Sequence, residues 1–444
     1  MEHISEATRL FIHEHRTEDV RQLALQASRS ADINLSFALD QIAGWQTART
    51  KLPSWAATDR IIYPPHLSME QCSSELTARY KEKVIAANLP LHRETVLSCN
   101  RPHVFVDLTG GFGVDFSFMS RSFDQRIYVE REEHLCEIAH HNFSCLNLDA
   151  TIKNNESTDF LHAISQADCI FLDPARRNEH GGRTYGIADC TPNVLEMWEE
   201  LLSKAELVLL KLSPMLDWRK VVKDLREADK RGTQSWYLEI HIVSVDNECK
   251  ELLVVCKEGV KEVKEGVKLV CINLFSKGGE ERFEVIPQPS FLSLQPSSLS
   301  LQPSAIIPQP SALSLQPSQG RLEGFSYLYE PNASVMKAGC FDELSKRFGV
   351  YPLAQNSHLF VSDTLCNSFP GRRFEIVGIS SMNKKELRKA LAGMEQANIT
   401  VRNFPLTVAE LRKRLKLKDG GDVYLFATTL AQGEHVLIIA KKTA

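Results

Sequence analysis

Read as a pattern of apolar and polar positions, the chain changes texture near residue 97. Before that point apolar residues recur at helical spacing. Leu10, Phe11, Val20, Leu23 and Leu25 follow it, and SELTARYKEKVIAAN (74–88) sets Leu76, Tyr80 and Val84 on one face. No alternating run interrupts them, which predicts a small helical domain over 1–95. From about 97 short apolar runs take over: HVFVDL, RIYVER, CIFLDP, LVLLKLSP and WYLEIHIVSV, separated by amphipathic stretches. Strands and helices alternating at this pitch predict a parallel α/β sheet, expected over 96–276. The last run is followed by DNECK and ELLVVC, too close for a helical crossover, so these two strands read as an antiparallel hairpin.

Beyond 256 the pattern breaks. KEGVK occurs at 257–261 and again at 264–268, and the stretch from 287 to 318 contains four heptapeptides ending in QPS. Proline at that density excludes a central strand or helix. Residues 277–324 therefore read as an extended low-complexity linker. The chain then regains α/β patterning, with strands FEIVGI, ITVRNF, DVYLFATTL and HVLIIAKK and helices predicted at 383–396 and 407–416. Thr407-Val-Ala-Glu410 has the capping-box pattern that starts the second helix.

Composition changes this picture little. At 444 residues with a net charge of −4, the chain has room for two or three domains and no global footprint for polyanions. The N-terminus has no apolar signal core, and no apolar run reaches the roughly 18 residues a membrane span needs. Eleven single cysteines without C-x-x-C spacing point to reduced thiols and a cytoplasmic setting, and away from a zinc or iron–sulfur site. His140-His141 has no third ligand in view, so no metal is expected and the pair reads as structural or exposed.

The chemistry gathers at strand ends. The first strand runs into VFVDLTGGFGVDF, a glycine-rich turn that is not the G-x-G-x-x-G of dinucleotide sites. Asp107 stands ahead of the glycines, where it would repel a pyrophosphate and suit a ligand bearing an ammonium and a sulfonium. VDLTGGFGVD resembles the nucleotide loop of class I S-adenosylmethionine-dependent methyltransferases, and the motifs that follow keep that family's order. The resemblance implies cofactor contacts from Asp107, Thr109, Gly110, Gly111 and Gly113. It implies a ribose contact from Glu130, otherwise a solvated acid, and an adenine contact from Asp159 with Phe160 over the ring, unless Asp159 only caps a helix. The family's sheet, a mostly parallel Rossmann-like sheet of seven strands, would set strand four beside strand one. The glycine loop and Asp173-Pro174-Ala175-Arg176 would then face each other across one crevice.

Asp173 is the candidate acceptor of a substrate N–H, Pro174 fixes its exit angle, and Arg176 and Arg177 can stack on a base or hold a phosphate. Amino-methylating relatives show Pro-Pro and an aromatic after the acid. Here Ala175 and Arg176 stand in those places. The DPPR of 5-methyluridine enzymes is closer, but their nucleophilic cysteine is missing from KLSPMLDW. Ser73-Ser74 reads as a helix cap, with the cofactor pocket as its alternative.

Residues 381–418 carry ten basic side chains against three acidic ones, Lys384, Lys385, Arg388, Lys389, Arg412, Lys413 and Lys416 among them. Two such helices in an acidic chain point to a nucleic-acid surface over a merely solvated face. With EQCSSE, YLYEPNASVMKAG and DVYLFATT, the chain resembles a bacterial methyltransferase family with a THUMP-like C-terminal domain. That resemblance implies a ferredoxin-like segment over 325–371, a THUMP-like domain over 372–444, and RNA as partner, with no protein partner. The expected activity is methylation of a base nitrogen in a tRNA or rRNA. A small-molecule or protein substrate, or RNA binding without catalysis, are the alternatives.

Overall fold

Among the described residues six helices precede the first strand, and eleven strands then follow up to Val285 with five α-helices and two short 3-10 turns among them. The computed structural model describes residues 4–26, 32–89, 101–176, 186–230, 236–258, 266–287, 322, 324–354, 356–430 and 433–443. Arg177 and the QPS heptapeptides lie outside the described residues. The chain divides into two compact units, residues 1–245 with 250–268, and residues 246–249 with 269–444.

The strands are β1 (Val104–Asp107), β2 (Gln125–Glu130), β3 (Thr151–Asn154), β4 (Ala167–Leu172), β5 (Ala175–Arg176), β6 (Cys190–Thr191), β7 (Ala205–Leu212), β8 (Trp236–Val245), β9 (Glu248–Glu258), β10 (Val267–Leu274) and β11 (Glu280–Val285). One sheet orders nine of them β11-β10-β8-β9-β7-β4-β1-β2-β3, while β5 and β6 pair by themselves. β1 runs parallel to β2 and to β4, β2 to β3, and β4 to β7, whereas β9 lies antiparallel to β7. Strand four does lie beside strand one. The expected seven strands, however, are nine in a mixed sheet. VKLVCINL is buried almost throughout but follows the KEGVK repeat, and EERFEV is an outer strand with only Phe283 deeply buried, a weak apolar signal. The linker expected from 277 accordingly gives way to a strand up to Val285.

The N-terminal helices share a hydrophobic cluster with the α/β part of the chain. Ala48, Leu52, Trp55, Tyr63, Met69 and Ala78 share one cluster with Phe112, Val114 and Phe118 from the glycine loop and the helix after it. Ser74 caps the helix Glu75–Asn88 by accepting from the Thr77 amide. Among the described residues no helix is long and apolar enough to cross a membrane.

The second unit holds a further sheet built from β12 (Tyr327–Pro331), β13 (Tyr351–Pro352), β14 (Phe360–Ser362), β15 (Gly371–Ser381), β16 (Asn398–Arg402), β17 (Val423–Thr429) and β18 (His435–Lys442), in the order β13-β14-β12-β15-β18-β17-β16. The segment expected to be ferredoxin-like thus shares one sheet with the C-terminal module. Thr407 and Glu410 close the predicted capping box. The helix expected over 383–396 is shorter, Lys384–Ala390, because the chain turns through Gly393 at φ +79. Val408, the first residue of the second helix, is exposed.

Candidate functional site

The loop after β1 sets the geometry. Gly110 donates its amide to the Val129 carbonyl at 2.8 Å, drawing the loop onto the end of β2. A Cβ on Gly110 would sit 2.1 Å from the Tyr128 ring, so no other residue passes there. Gly113 turns at φ +81 into the helix Val114–Met119, with the Phe143 ring 2.7 Å from where its Cβ would be. The Tyr128 hydroxyl donates to the Gly111 carbonyl, and the Gly111 amide donates to Glu130 Oε2 at 2.8 Å. Glu130 Oε1 accepts from the Glu132 amide at 2.9 Å. Each carboxylate oxygen keeps a second lone pair for another donor.

Asp107 lies under this loop, 1% exposed, its Oδ1 accepting the Thr109 amide at 2.9 Å. Burial pushes its carboxyl well up. The Thr109 hydrogen bond works against that, and the charges of Asp115, Asp173 and Glu130 add to it. A cation placed beside Asp107 would relieve all of these at once. The Thr109 hydroxyl accepts from the Asp173 amide at 2.6 Å, so one side chain ties the end of β1 to the end of β4. This is the point where the sheet's connections change direction, the usual seat of a ligand in such folds.

Asp173 is partly exposed, and its Oδ2 is paired with Lys211 from β7. Oδ1 has no partner among the described residues. Pro174 is buried, and Arg176 pairs with Cys190 through the short β5–β6 ladder. Behind Asp173 lies a buried ion network that sequence reading missed. Lys211 also reaches Asp115 Oδ2 at 3.8 Å. Lys81 stands 3.3 Å from Asp115 Oδ1 and 2.6 Å from both oxygens of Glu251. Ser73 donates to Asp115 Oδ2 at 2.6 Å, so this serine serves the network while Ser74 serves the helix.

Burial disfavours the Lys211 ammonium, but Asp173 and Asp115 overcome that and raise its pKa. For Asp115, burial is likewise outweighed, by Lys81 and Lys211, and its carboxyl is held low. Two lysines face three carboxylates here, and with Asp107 and Glu130 nearby the crevice favours cations.

The other predicted residues fall as follows. Asp159 is exposed in the first turn of the helix Ser157–Ala163, so it is not the cap, and Phe160 is buried. Ser157, not singled out from sequence, donates to the Leu108 carbonyl at 2.6 Å and ties that helix to the loop. His141 Nε2 lies 2.7 Å from the Arg60 carbonyl and His140 is exposed. In the second unit Lys384, Lys385, Arg388, Lys389, Lys413 and Lys416 are exposed. Arg412 is half-buried, donating to the Ala397 carbonyl at 3.1 Å and pairing with Asp419 at 2.5 Å.

Residues 371–442 match a family described as THUMP domain-like, and residues 327–370 match one described as a ferredoxin-like domain. No curated protein matches the chain. Among solved structures, a candidate methyltransferase from Porphyromonas gingivalis W83 is 30% identical, with 99% of this chain and 98% of that one covered at a TM-score of 0.75. An rRNA methylase from Streptococcus thermophilus is similar at 12% identity, TM-score 0.30, covering 41% of this chain and 96% of that one. An O-methyltransferase from Bacillus cereus in complex with SAH is similar at 10% identity, TM-score 0.33, covering 56% and 100%. On its near full-length match to the Porphyromonas protein, the chain belongs to the bacterial class I methyltransferase family with a THUMP-like C-terminal domain.

Proposed function

We propose that the protein is an S-adenosylmethionine-dependent methyltransferase acting on a base nitrogen of a structured RNA, a tRNA or rRNA. The observation that carries this reading is Asp107, buried beneath a glycine loop that admits no side chain at Gly110, at the switch point of the sheet. A cradle open to close backbone approach, over an uncompensated carboxyl, fits a ligand that combines a nucleoside with a cationic amino-acid end. S-adenosylmethionine, when bound, supplies a methyl group already activated by its sulfonium.

The chain's own residues bind and orient. Asp107, Thr109, Gly110, Gly111 and Gly113 hold the amino-acid end, Glu130 the ribose hydroxyls, and Asp159 and Phe160 the adenine. Asp173 Oδ1 accepts the N–H of the acceptor nitrogen, with Lys211 fixing the carboxylate from behind and Pro174 its exit from β4. Arg176 and Arg177 steer the base or its phosphate. The THUMP-like match and the exposed lysines and arginines of residues 384–416 support RNA as the macromolecule.

Calorimetric titration with S-adenosylhomocysteine tests the cofactor assignment. Asp107→Ala is expected to weaken binding roughly 10- to 100-fold, the worth of a hydrogen bond to a charged group. The same titration carries a pH signature. Because the free Asp107 carboxyl is raised, wild-type affinity should weaken as pH falls through its pKa, and the Asp107→Ala variant should lose that slope. Wild-type affinity in the variant would overturn the assignment.

A further inference from the structure

The second unit holds a charged cluster that the methyl-transfer reading does not use. β12 pairs with β15 so that Glu330 faces Arg372, and β16 pairs with β17 so that Arg402 faces Thr428. Partners across strands share a sheet face. Phe374 and Phe426, two residues along from Arg372 and Thr428, touch with ring centroids 4.9 Å apart, which puts both pairs on the same face.

The Glu330 side chain is 4% exposed and divided between two guanidiniums. Arg372 donates to Oε2 through Nε at 2.6 Å and through Nη2. Arg402 donates to Oε1 through Nε at 3.2 Å and Nη2 at 2.7 Å. Each guanidinium thus commits one edge to the same carboxylate and leaves Nη1 without a hydrogen bond among the described residues, while the two side chains remain 40% and 35% exposed. One acid against two arginines leaves a positive charge over. A staple for the strand ends would be complete with one arginine.

Two further donors are present. Thr428 Oγ1 is buried with no hydrogen-bond partner among the described residues, across from Arg402. His358, at φ +52, stacks on Phe341 at 4.7 Å. Burial and the Arg402 charge lower its pKa, so a neutral imidazole can donate without adding to the cluster's charge.

We infer that Arg372 and Arg402, set by Glu330 and joined by Thr428, form a binding site for a phosphate group. Paired guanidiniums each held by two hydrogen bonds to one buried acid are pre-oriented for phosphate oxygens, so little side-chain entropy is lost on binding. The phosphate belongs either to a nucleic-acid backbone or to a free oligophosphate. The site stands apart from the methyl-transfer reading, and its failure would leave that reading untouched.

The test uses the full chain at low salt with two probes, inorganic tripolyphosphate and a ten-residue oligouridylate, titrated by calorimetry. Arg402→Met is expected to weaken tripolyphosphate binding about tenfold or more. Glu330→Gln removes the internal competitor and is expected to tighten it, by about threefold or more, because the cluster gains a unit of positive charge. Thr428→Val keeps the packing and should weaken binding measurably with unchanged circular dichroism, which covers the case that Glu330→Gln does not fold. Lys223→Gln, at an exposed lysine on the helix Trp218–Ala228 of the first unit, should leave tripolyphosphate binding unchanged. Oligouridylate binding that falls in parallel in Arg402→Met assigns the phosphate to a backbone, and a tripolyphosphate effect alone assigns it to a free oligophosphate. No affinity in the wild type, or folded Glu330→Gln and Thr428→Val variants that both bind tripolyphosphate as the wild type does, would overturn the inference.

Discussion

Replacing Asp173 by asparagine is expected to slow methyl transfer roughly 10²- to 10⁴-fold, the usual worth of a positioned proton acceptor. Cofactor affinity should stay near the wild-type value. The reason lies in how Asp173 is held. Its amide donates to Thr109 Oγ1 at 2.6 Å and its Oδ2 is fixed by Lys211, so Oδ1, without a partner among the described residues, is the oxygen we propose for an incoming N–H. Asparagine preserves the shape and the backbone bond but removes the charge that makes the oxygen an acceptor for a departing proton. Lys211, still 3.8 Å from Asp115, keeps one counter-charge, so the fold should survive. Single-turnover rates and S-adenosylhomocysteine affinity, measured on the same preparation, separate the two contributions. A wild-type rate would remove Asp173 from the chemistry. An equal fall in rate and affinity would assign it to the cofactor.

The second large effect is on stability. Lys81 is wholly buried between Asp115 and Glu251, both nearly inaccessible to solvent. Lys81→Met leaves those carboxylates with Lys211 as the cation nearby among the described residues, at a cost of about 3–5 kcal/mol. The double variant Lys81→Met with Glu251→Leu removes the charge on both sides and should recover part of that loss, since a buried pair replaced by apolar groups is often near neutral. Denaturant unfolding of the three proteins measures both numbers. A single variant as stable as the wild type would mean that the network is hydrated and carries little energy.

The site was readable where its chemistry is contiguous in the chain. Asp107 with its glycines, Glu130 and Asp173 each sit at the end of an apolar run, so strand and functional group announce each other. The network behind them was not readable in that way, because its members come from separate elements. Lys81 and Glu251 are 170 residues apart. A signal was nonetheless present. Lys81 lies on the stripe of Thr77, Ala78 and Ile85, a charge within a buried helix face, and Lys211 interrupts the apolar run LVLLKL. Charges placed among core positions ask for partners, even when sequence cannot say which.

Periodicity failed at the sheet's far edge for a different reason. EERFEV carries only one deeply buried apolar residue, and its neighbour follows a repeat with linker composition. Its strand identity comes from its pairing with β10, which is a tertiary property. The Arg372–Glu330–Arg402 cluster was equally hidden, since it depends on a register between strands far apart in sequence.

In the function we propose, this protein moves a methyl group from S-adenosylmethionine to RNA through the crevice between the ends of β1 and β4. The most direct test is incubation of the purified 444-residue chain with methyl-labelled S-adenosylmethionine and total RNA from a strain lacking the gene, followed by mass-spectrometric mapping of the label. Label at a single base nitrogen with the wild type, and none above background with Asp173→Asn, is the predicted result. Label that appears only on protein or small molecules, or on RNA to the same extent with Asp173→Asn, would contradict the account.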